Sequence, residues 1–216
     1  MSPSSYAGVA IVAPVTVPYV RSSEHGATWF LGRALRALLD ATGLKKPQID
    51  GLSVTIFGLT EHFGMTARYV EHLPYGGAAA VMALKRAARA VQAGDAEVVA
   101  CLAGDTSRPG MFRNLVAEFS RFSKDTVYPY GAAGPNGTFA LLTRAYMERH
   151  GATREDFGRI CVALRYNANH SPHAILRDKT LTLQDYLAAR PVAGPIHLFD
   201  CVMPCAGAEG FLVTTV

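Results

Sequence analysis

The stretch from Gly77 to Ala93 constrains this chain more than any other, because it spells a helix that offers water almost nothing. Ala78 to Leu84 contains no polar side chain. In the second half Lys85, Arg86, Arg89 and Gln92 recur at spacings of one, four and seven, which is a single narrow stripe. A helix apolar nearly all round must be enclosed by protein, and its alanines let neighbouring elements come close. Gly94 supplies a stop, and Ala96–Ala103 reads as a strand directly after it.

The entrance to this helix is Pro74-Tyr75-Gly76-Gly77-Ala78. Two glycines there let another group approach the backbone, where the first N–H groups have no intrahelical partner. Aligned with the helix dipole, those groups favour negative charge. No Ser, Cys or Thr follows within the first turn to act as a nucleophile.

Around the helix the pattern alternates. Gly8–Ala13 suits a buried strand, and Phe30–Thr42 places Leu31, Ala34, Leu35, Leu38 and Leu39 on one helical face, with Gly43 past its end. Ile49–Ile56 returns as a strand, and Arg68–Leu73 reads as a third. Strand, helix and strand with short links make a βαβ unit, hence an α/β fold with a mostly parallel sheet. From Asp105 to Gly137 regularity fails, apart from a helix expected over Phe112–Phe122; an excursion this long inside a compact domain is usually functional. Helices follow over Thr138–His150, from Thr153 to about Ala168, and over Tyr186–Arg190. The second and third begin at capping-box patterns, Thr153 with Asp156 and Thr182 with Asp185. Ile196–Phe199 and Phe211–Val216 read as strands. The sequence stops within the second of them, and we expect it to be part of a longer protein.

Composition narrows the function classes. The chain has 216 residues, 50% hydrophobic and only 18% charged, so extra surface is expected to be buried against another chain. A net charge of +4 with dispersed basic residues and no nucleic-acid motif argues against nucleic-acid binding. The polar start Met1–Ser5 does not resemble a signal peptide, and no apolar run reaches the ~18 residues of a membrane span. Cys101, Cys161, Cys201 and Cys205 lack metal-site spacing and read as buried thiols in a reducing cytoplasm, with no metal site expected.

Several segments, in order, resemble the thiolase superfamily, most nearly its lipid-transfer-protein or sterol-carrier-protein-like thiolases. They are Gly76-Gly77-Ala78-Ala79 before the apolar helix and Ala93-Gly94-Asp95-Ala96-Glu97-Val98-Val99 after it. Then come Arg165-Tyr166-Asn167-Ala168-Asn169-His170-Ser171-Pro172-His173-Ala174, Pro195-Ile196-His197-Leu198-Phe199-Asp200-Cys201 and Pro204-Cys205-Ala206-Gly207-Ala208. The resemblance implies αβα layers, duplicated in the family, with the Gly77 helix buried at the centre and only the first half plus its loop region present. On that basis 1–105 is the first part of the half, 106–194 a loop and substrate-binding region, and 195–216 its returning strands. It further implies lipid or steroid catabolism on a coenzyme A thioester, by carbon–carbon cleavage or acyl transfer, with no tightly bound cofactor. Implied partners are a second copy in a homodimer and a small zinc-ribbon and OB-fold acyl-CoA-binding chain. A non-catalytic scaffold or acyl-CoA-binding subunit is the alternative.

One departure stands out. Counting back from Ala93-Gly94, the nucleophilic Cys of true thiolases falls at Gly77, and neither a Gly-His-Pro nor a Cys-Gly-Gly-Gly occurs in the sequence. Acyl-thiolate chemistry then lacks both its nucleophile and its base. Gly76 and Gly77 either admit a thioester and offer N–H groups to its oxygen or simply form a tight turn. Tyr75 beside them either faces that site or packs. Asp105 ends a strand close to the inferred site. Asn169 and His170, in a cluster with Asn167 and His173, either grip substrate or satisfy the backbone before Pro172. His62 and His72 read as surface or packing residues.

Overall fold

The computed structural model describes residues 5–111, 124–131 and 134–216. The helix expected over 112–122, and the first four residues, lie outside them. The chain divides into two compact units: one runs to Thr106 and resumes at Cys205–Val216, and the other is Ser107–Pro204.

The first unit is built on a five-stranded sheet of β1 (Val9–Val20), β2 (Gly51–Val54), β3 (Tyr69–His72), β4 (Val98–Asp105) and β7 (Ala206–Thr215), in the order β1-β7-β4-β2-β3. β2 pairs in parallel with β3 and β4, whereas β7 is antiparallel to β1 and β4. Four strands therefore share a direction and β7 alone is reversed, as expected of an α/β chain with a mostly parallel sheet. β1 runs on past Ala13, where the strand was expected to stop. It is an edge strand, with register shifts between Val12 and Val15 and between Val17 and Val20. Those shifts accommodate Pro14 and Pro18, which a central strand would not tolerate.

Alternation along the strands sorts their side chains between two helices. Leu52, Val54, Ala100, Leu102 and Leu212 pack in one cluster with Leu31, Leu35 and Leu38 of α1 (Ala27–Thr42). A short helix α2 (Leu59–Phe63), between left-handed Gly58 and Gly64, contributes Leu59 and Phe63 to the same cluster. On the opposite face Val99, Cys101 and Val213 lie under Ala79, Ala83, Ala87 and Val91 of α3 (Ala79–Ala93). Helix, sheet and helix form the three layers. Both helices end as their sequences predict, at Gly43 (φ 70°) and Gly94 (φ 79°). Within the first unit α3 is covered on one side only. It is buried only along the face it turns to the sheet, and on its outer side Ala80 is exposed and Val81 is 71% exposed. One sheet covers one side of a helix, and no other described element of the first unit lies over that outer face.

Asp50 ties the lower ends of the parallel strands together. Its carboxylate accepts from the N–H groups of Glu97 (2.9 Å) and Val98 (2.8 Å) and from Arg68 Nε (2.7 Å). Its carbonyl accepts from the N–H groups of Arg68 and Tyr69. Burial raises the Asp50 pKa, but the two amides and the guanidinium outweigh it and hold the carboxyl below its ordinary value.

The second unit contains α4 (Lys124–Val127), α5 (Gly134–His150), α6 (Arg154–His170), α7 (Leu183–Ala188) and a small antiparallel pair, β5 (Pro191–Ala193) with β6 (Ile196–His197). The expected strand through Phe199 shortens to β6, because Leu198–Asp200 turns into a 3-10 helix. Both capping boxes form: Thr153 N–H donates to Asp156 at 2.8 Å, and Thr182 N–H to Asp185 at 3.0 Å. α6 and α7 meet at Gly158, where a Cβ would come within 2.7 Å of the Tyr186 ring. Tyr186 is fully buried and its hydroxyl donates to Asp200.

Candidate active site

β2, β3 and β4 end at one edge of the first unit's sheet, and the segment leaving β3 carries the glycine turn. Leu73 N–H donates to the Val54 carbonyl at 2.9 Å, extending the ladder by one residue. The backbone then turns at Tyr75 (φ −96°, ψ 19°), passes through a 3-10 turn over Gly76–Ala78, and enters α3 at Ala79. Gly76 has φ 54°, a conformation that costs other residues more. Gly77 is different in kind. Its φ is not positive, and a Cβ built on it meets nothing within 4 Å. Neither backbone conformation nor packing among the described residues therefore requires glycine at 77.

The start of α3 is also uncapped. Its N-cap is Ala78, which has no side-chain oxygen to accept from the first-turn N–H groups. The 3-10 turn runs straight into α3, with Ala78 N–H donating to the Tyr75 carbonyl at 3.2 Å and Ala79 N–H to that of Gly76. What the turn presents, at the edge where open α/β sheets bind ligands, is the positive end of the helix dipole. Tyr75 is half-exposed beside the turn. Asp105 reaches the same edge as the last residue of β4. It is exposed, and its Oδ1 accepts from Thr106 N–H at 2.7 Å. Thr106 in turn donates its hydroxyl to the His25 carbonyl at 2.7 Å.

Asn169 and His170 belong to the other unit. They occupy the last turn of α6, where a loop was expected from about Ala168 onward. His170 Nδ1 donates to the Tyr166 carbonyl at 2.8 Å, and its ring lies 4.5 Å from that of Tyr166. A histidine in a helix's last turn suits the dipole, so this residue serves the helix whatever else it does. Asn169 Oδ1 is buried and has no hydrogen-bond partner among the described residues. In the same unit Val162, Ala163, Tyr166 and Leu183 line an open apolar groove of about 430 Å³, with Arg159 and Asn167 at its margin.

The cysteines do not qualify as nucleophiles. All four are free. Burial pushes the Cys101 thiol up to about 12. Burial also raises Cys161, Cys201 and Cys205, with Asp200 adding to the effect on the first two and Asp105 on the third. A raised pKa lowers the thiolate fraction of each at neutral pH. Treatment of the folded chain with iodoacetamide at pH 8 should leave Cys101 unmodified by mass spectrometry, and denaturation should expose it. Rapid labelling of Cys101 in the folded chain would refute its burial.

Sequence reasoning missed two polar groups on the sheet face that carries α3. Glu209 accepts from Thr16 Oγ1 (2.7 Å) and from the Tyr19 hydroxyl (2.6 Å), and the Tyr19 ring lies across Gly207. Ser53 and Thr55 share that face on and just beyond β2. The alternation Leu52-Ser53-Val54-Thr55-Ile56 was the available signal.

The architecture defines the class first: this is a thiolase-fold chain. It superposes on a monomeric SCP2-thiolase-like protein from Mycobacterium smegmatis with a TM-score of 0.68, covering 98% of this chain and 46% of that one at 13% identity. It superposes on an Ltp2-ChsH2(DUF35) aldolase with a TM-score of 0.85, covering 97% of this chain and 56% of that one at 28% identity. In sequence it is 31% identical over 199 residues to the 17-hydroxy-3-oxo-4-pregnene-20-carboxyl-CoA lyase of Mycobacterium tuberculosis, covering 84% of this chain and 52% of the lyase. It is 33% identical over 196 residues to the steroid side-chain-cleaving aldolase of Thermomonospora curvata, covering 84% and 50%. No family model matches. The chain belongs to the thiolase superfamily, among its sterol-carrier-protein-like thiolases, and spans about half the length of the curated relatives it matches.

Proposed function

We propose that this chain is the first half of a thiolase-like enzyme that cleaves a carbon–carbon bond beside a coenzyme A thioester, acting in lipid or steroid breakdown. The observation that carries the reading is the open, uncapped helix start at Gly76–Ala80, with no nucleophile at Gly77. A thiolytic enzyme needs a nucleophile at that point; a retro-aldol cleavage does not. In such a cleavage a base takes the proton of the β-hydroxyl and the adjacent carbon–carbon bond breaks. The electron pair moves onto the thioester as an enolate, which is then protonated at carbon. Negative charge develops on the thioester oxygen, and the positive end of the α3 dipole, at the Gly76–Ala78 turn, is suited to receive it. The two curated relatives, named as a lyase and an aldolase, support this chemistry over acyl transfer.

In this reading Gly76 and Gly77 form the wall the thioester approaches, with Tyr75 and Asp105 of the same unit as substrate contacts; Asn169 and His170 are substrate contacts offered by the second unit. The proton-transfer groups come from the second half that the longer relatives contain. The protein works in the cytoplasm as a homodimer and needs no tightly bound cofactor. The solved Ltp2-ChsH2(DUF35) aldolase supports assembly with a small acyl-CoA-binding partner.

The test is calorimetry of acyl-CoA binding to the full-length protein and to its Gly77→Trp variant. The indole should weaken binding at least about tenfold, or ~1.4 kcal/mol. Because a Cβ at 77 meets no neighbour, thermal stability should hardly move. Unchanged affinity would remove the glycine turn from the thioester site. A covalent acyl adduct found by mass spectrometry during turnover would overturn the reaction class.

A further inference from the structure

Beneath the first turn of α3, on the sheet side, lies a recess of about 30 Å³ lined by Ser53, Thr55, Ala79, Ala83, Cys101 and Phe211. Two hydroxyls open onto it. Ser53 is completely buried and Thr55 is half-buried, and neither side-chain oxygen has a hydrogen-bond partner among the described residues. Such an orphan is expensive, since a hydroxyl taken out of water keeps its desolvation cost until something bonds to it. Ser53 lies on β2 and Thr55 just beyond its end, and both line the recess on the α3 side of the sheet.

We propose that Ser53 and Thr55 hold one ordered water molecule in this recess, a built-in hydration site between β2 and the start of α3. The volume exceeds the roughly 10–15 Å³ that a cavity needs to admit a water. The hydroxyls supply two of the two to four polar partners such a water needs. Alanines at 79 and 83 keep the roof far enough from the sheet to leave the space, and Cys101 adds a weak sulfur contact. Glu209 also lines the recess, its carboxylate held by the Thr16 and Tyr19 hydroxyls. The site is independent of the reaction proposed above, although it underlies the same helix turn.

A crystal structure of the full-length protein at high resolution tests this directly. A water within hydrogen-bond distance of both Ser53 Oγ and Thr55 Oγ1 is the expected result. An empty recess, a protein side chain inserted into it, or the hydroxyls bonded to other groups would each overturn the proposal. Melting temperatures supply the second measurement. Ser53→Ala and Thr55→Val should each lower the midpoint by about 2–4 °C, because each leaves the water short of a partner. The double variant should lie well above the sum of the two losses, since removing both hydroxyls removes the need for the water. Strictly additive losses would count against a shared occupant.

Discussion

Valine in place of Gly104 will lower the melting temperature by about 6–12 °C, the equivalent of roughly 3 kcal/mol in a chain of this size. Gly104 lies near the end of β4, paired opposite Ala208 of β7 and beneath α1. A Cβ there would come within 2.8 Å of Ala208 Cβ, 3.0 Å of the Gly207 carbonyl oxygen and 3.1 Å of Leu31 Cδ2. Leu31 can turn aside, but the carbonyl belongs to the neighbouring strand and moves only if the β4–β7 ladder moves. Valine adds two methyl groups to a site already closed to the first. Gly104→Ala should give a smaller loss of the same sign. Thermal unfolding followed by circular dichroism checks both, and a valine variant melting within about 2 °C of the parent would contradict the packing described.

Asp50→Ala is expected to cost about 1–2 kcal/mol at pH 7, because it removes at once the shared acceptor of the Glu97 and Val98 amides and of the half-exposed Arg68 guanidinium. Asp50→Asn, which keeps one carbonyl acceptor, should fall between. The effect carries a pH signature. The folded Asp50 has a lowered pKa, so its carboxylate contributes fully above the unfolded value of about 4 and loses that contribution as pH falls through the folded value. The stability gap between parent and Asp50→Ala should therefore shrink on acidification below about pH 4. Denaturant titrations at pH 7 and pH 3 measure it. A gap that stays constant between them would mean that the carboxylate's charge does not matter.

The parts of this fold legible in the sequence were those governed by periodicity and punctuation. α1 shows its buried face as Leu31, Ala34, Leu35 and Leu38 and its stop as Gly43, and β4 shows itself as an apolar run after Gly94. Local rules also reach the glycine turn, because a helix start without a capping oxygen is visible in the residue types. What escaped depended on neighbours distant in sequence. The apolar run of β1 stops at Ala13, yet the strand continues through Pro14 and Pro18 because an edge position with two register shifts admits them. α3 looked enclosed because its composition is apolar all round, whereas its surroundings in the first unit cover only one side. The orphaned hydroxyls of Ser53 and Thr55 become significant only once the strand is seen to lie beneath α3. His170 was placed in a loop, since nothing local distinguishes the last turn of a helix from the residue beyond it.

The position of β7 has a consequence for how the protein is made. The strand contributed last, Ala206–Thr215, lies between β1 and β4, which do not touch each other. During synthesis β2, β3 and β4 can assemble as soon as they emerge, but β1, which is made before them, has no place in the sheet until nearly two hundred further residues have followed. Through that interval a twelve-residue strand carrying Ile11, Val12 and Val20 waits with both edges unpaired. It is the segment most at risk of pairing with a neighbouring chain. Pro14 and Pro18, which carry no N–H to offer, blunt its edge through that wait.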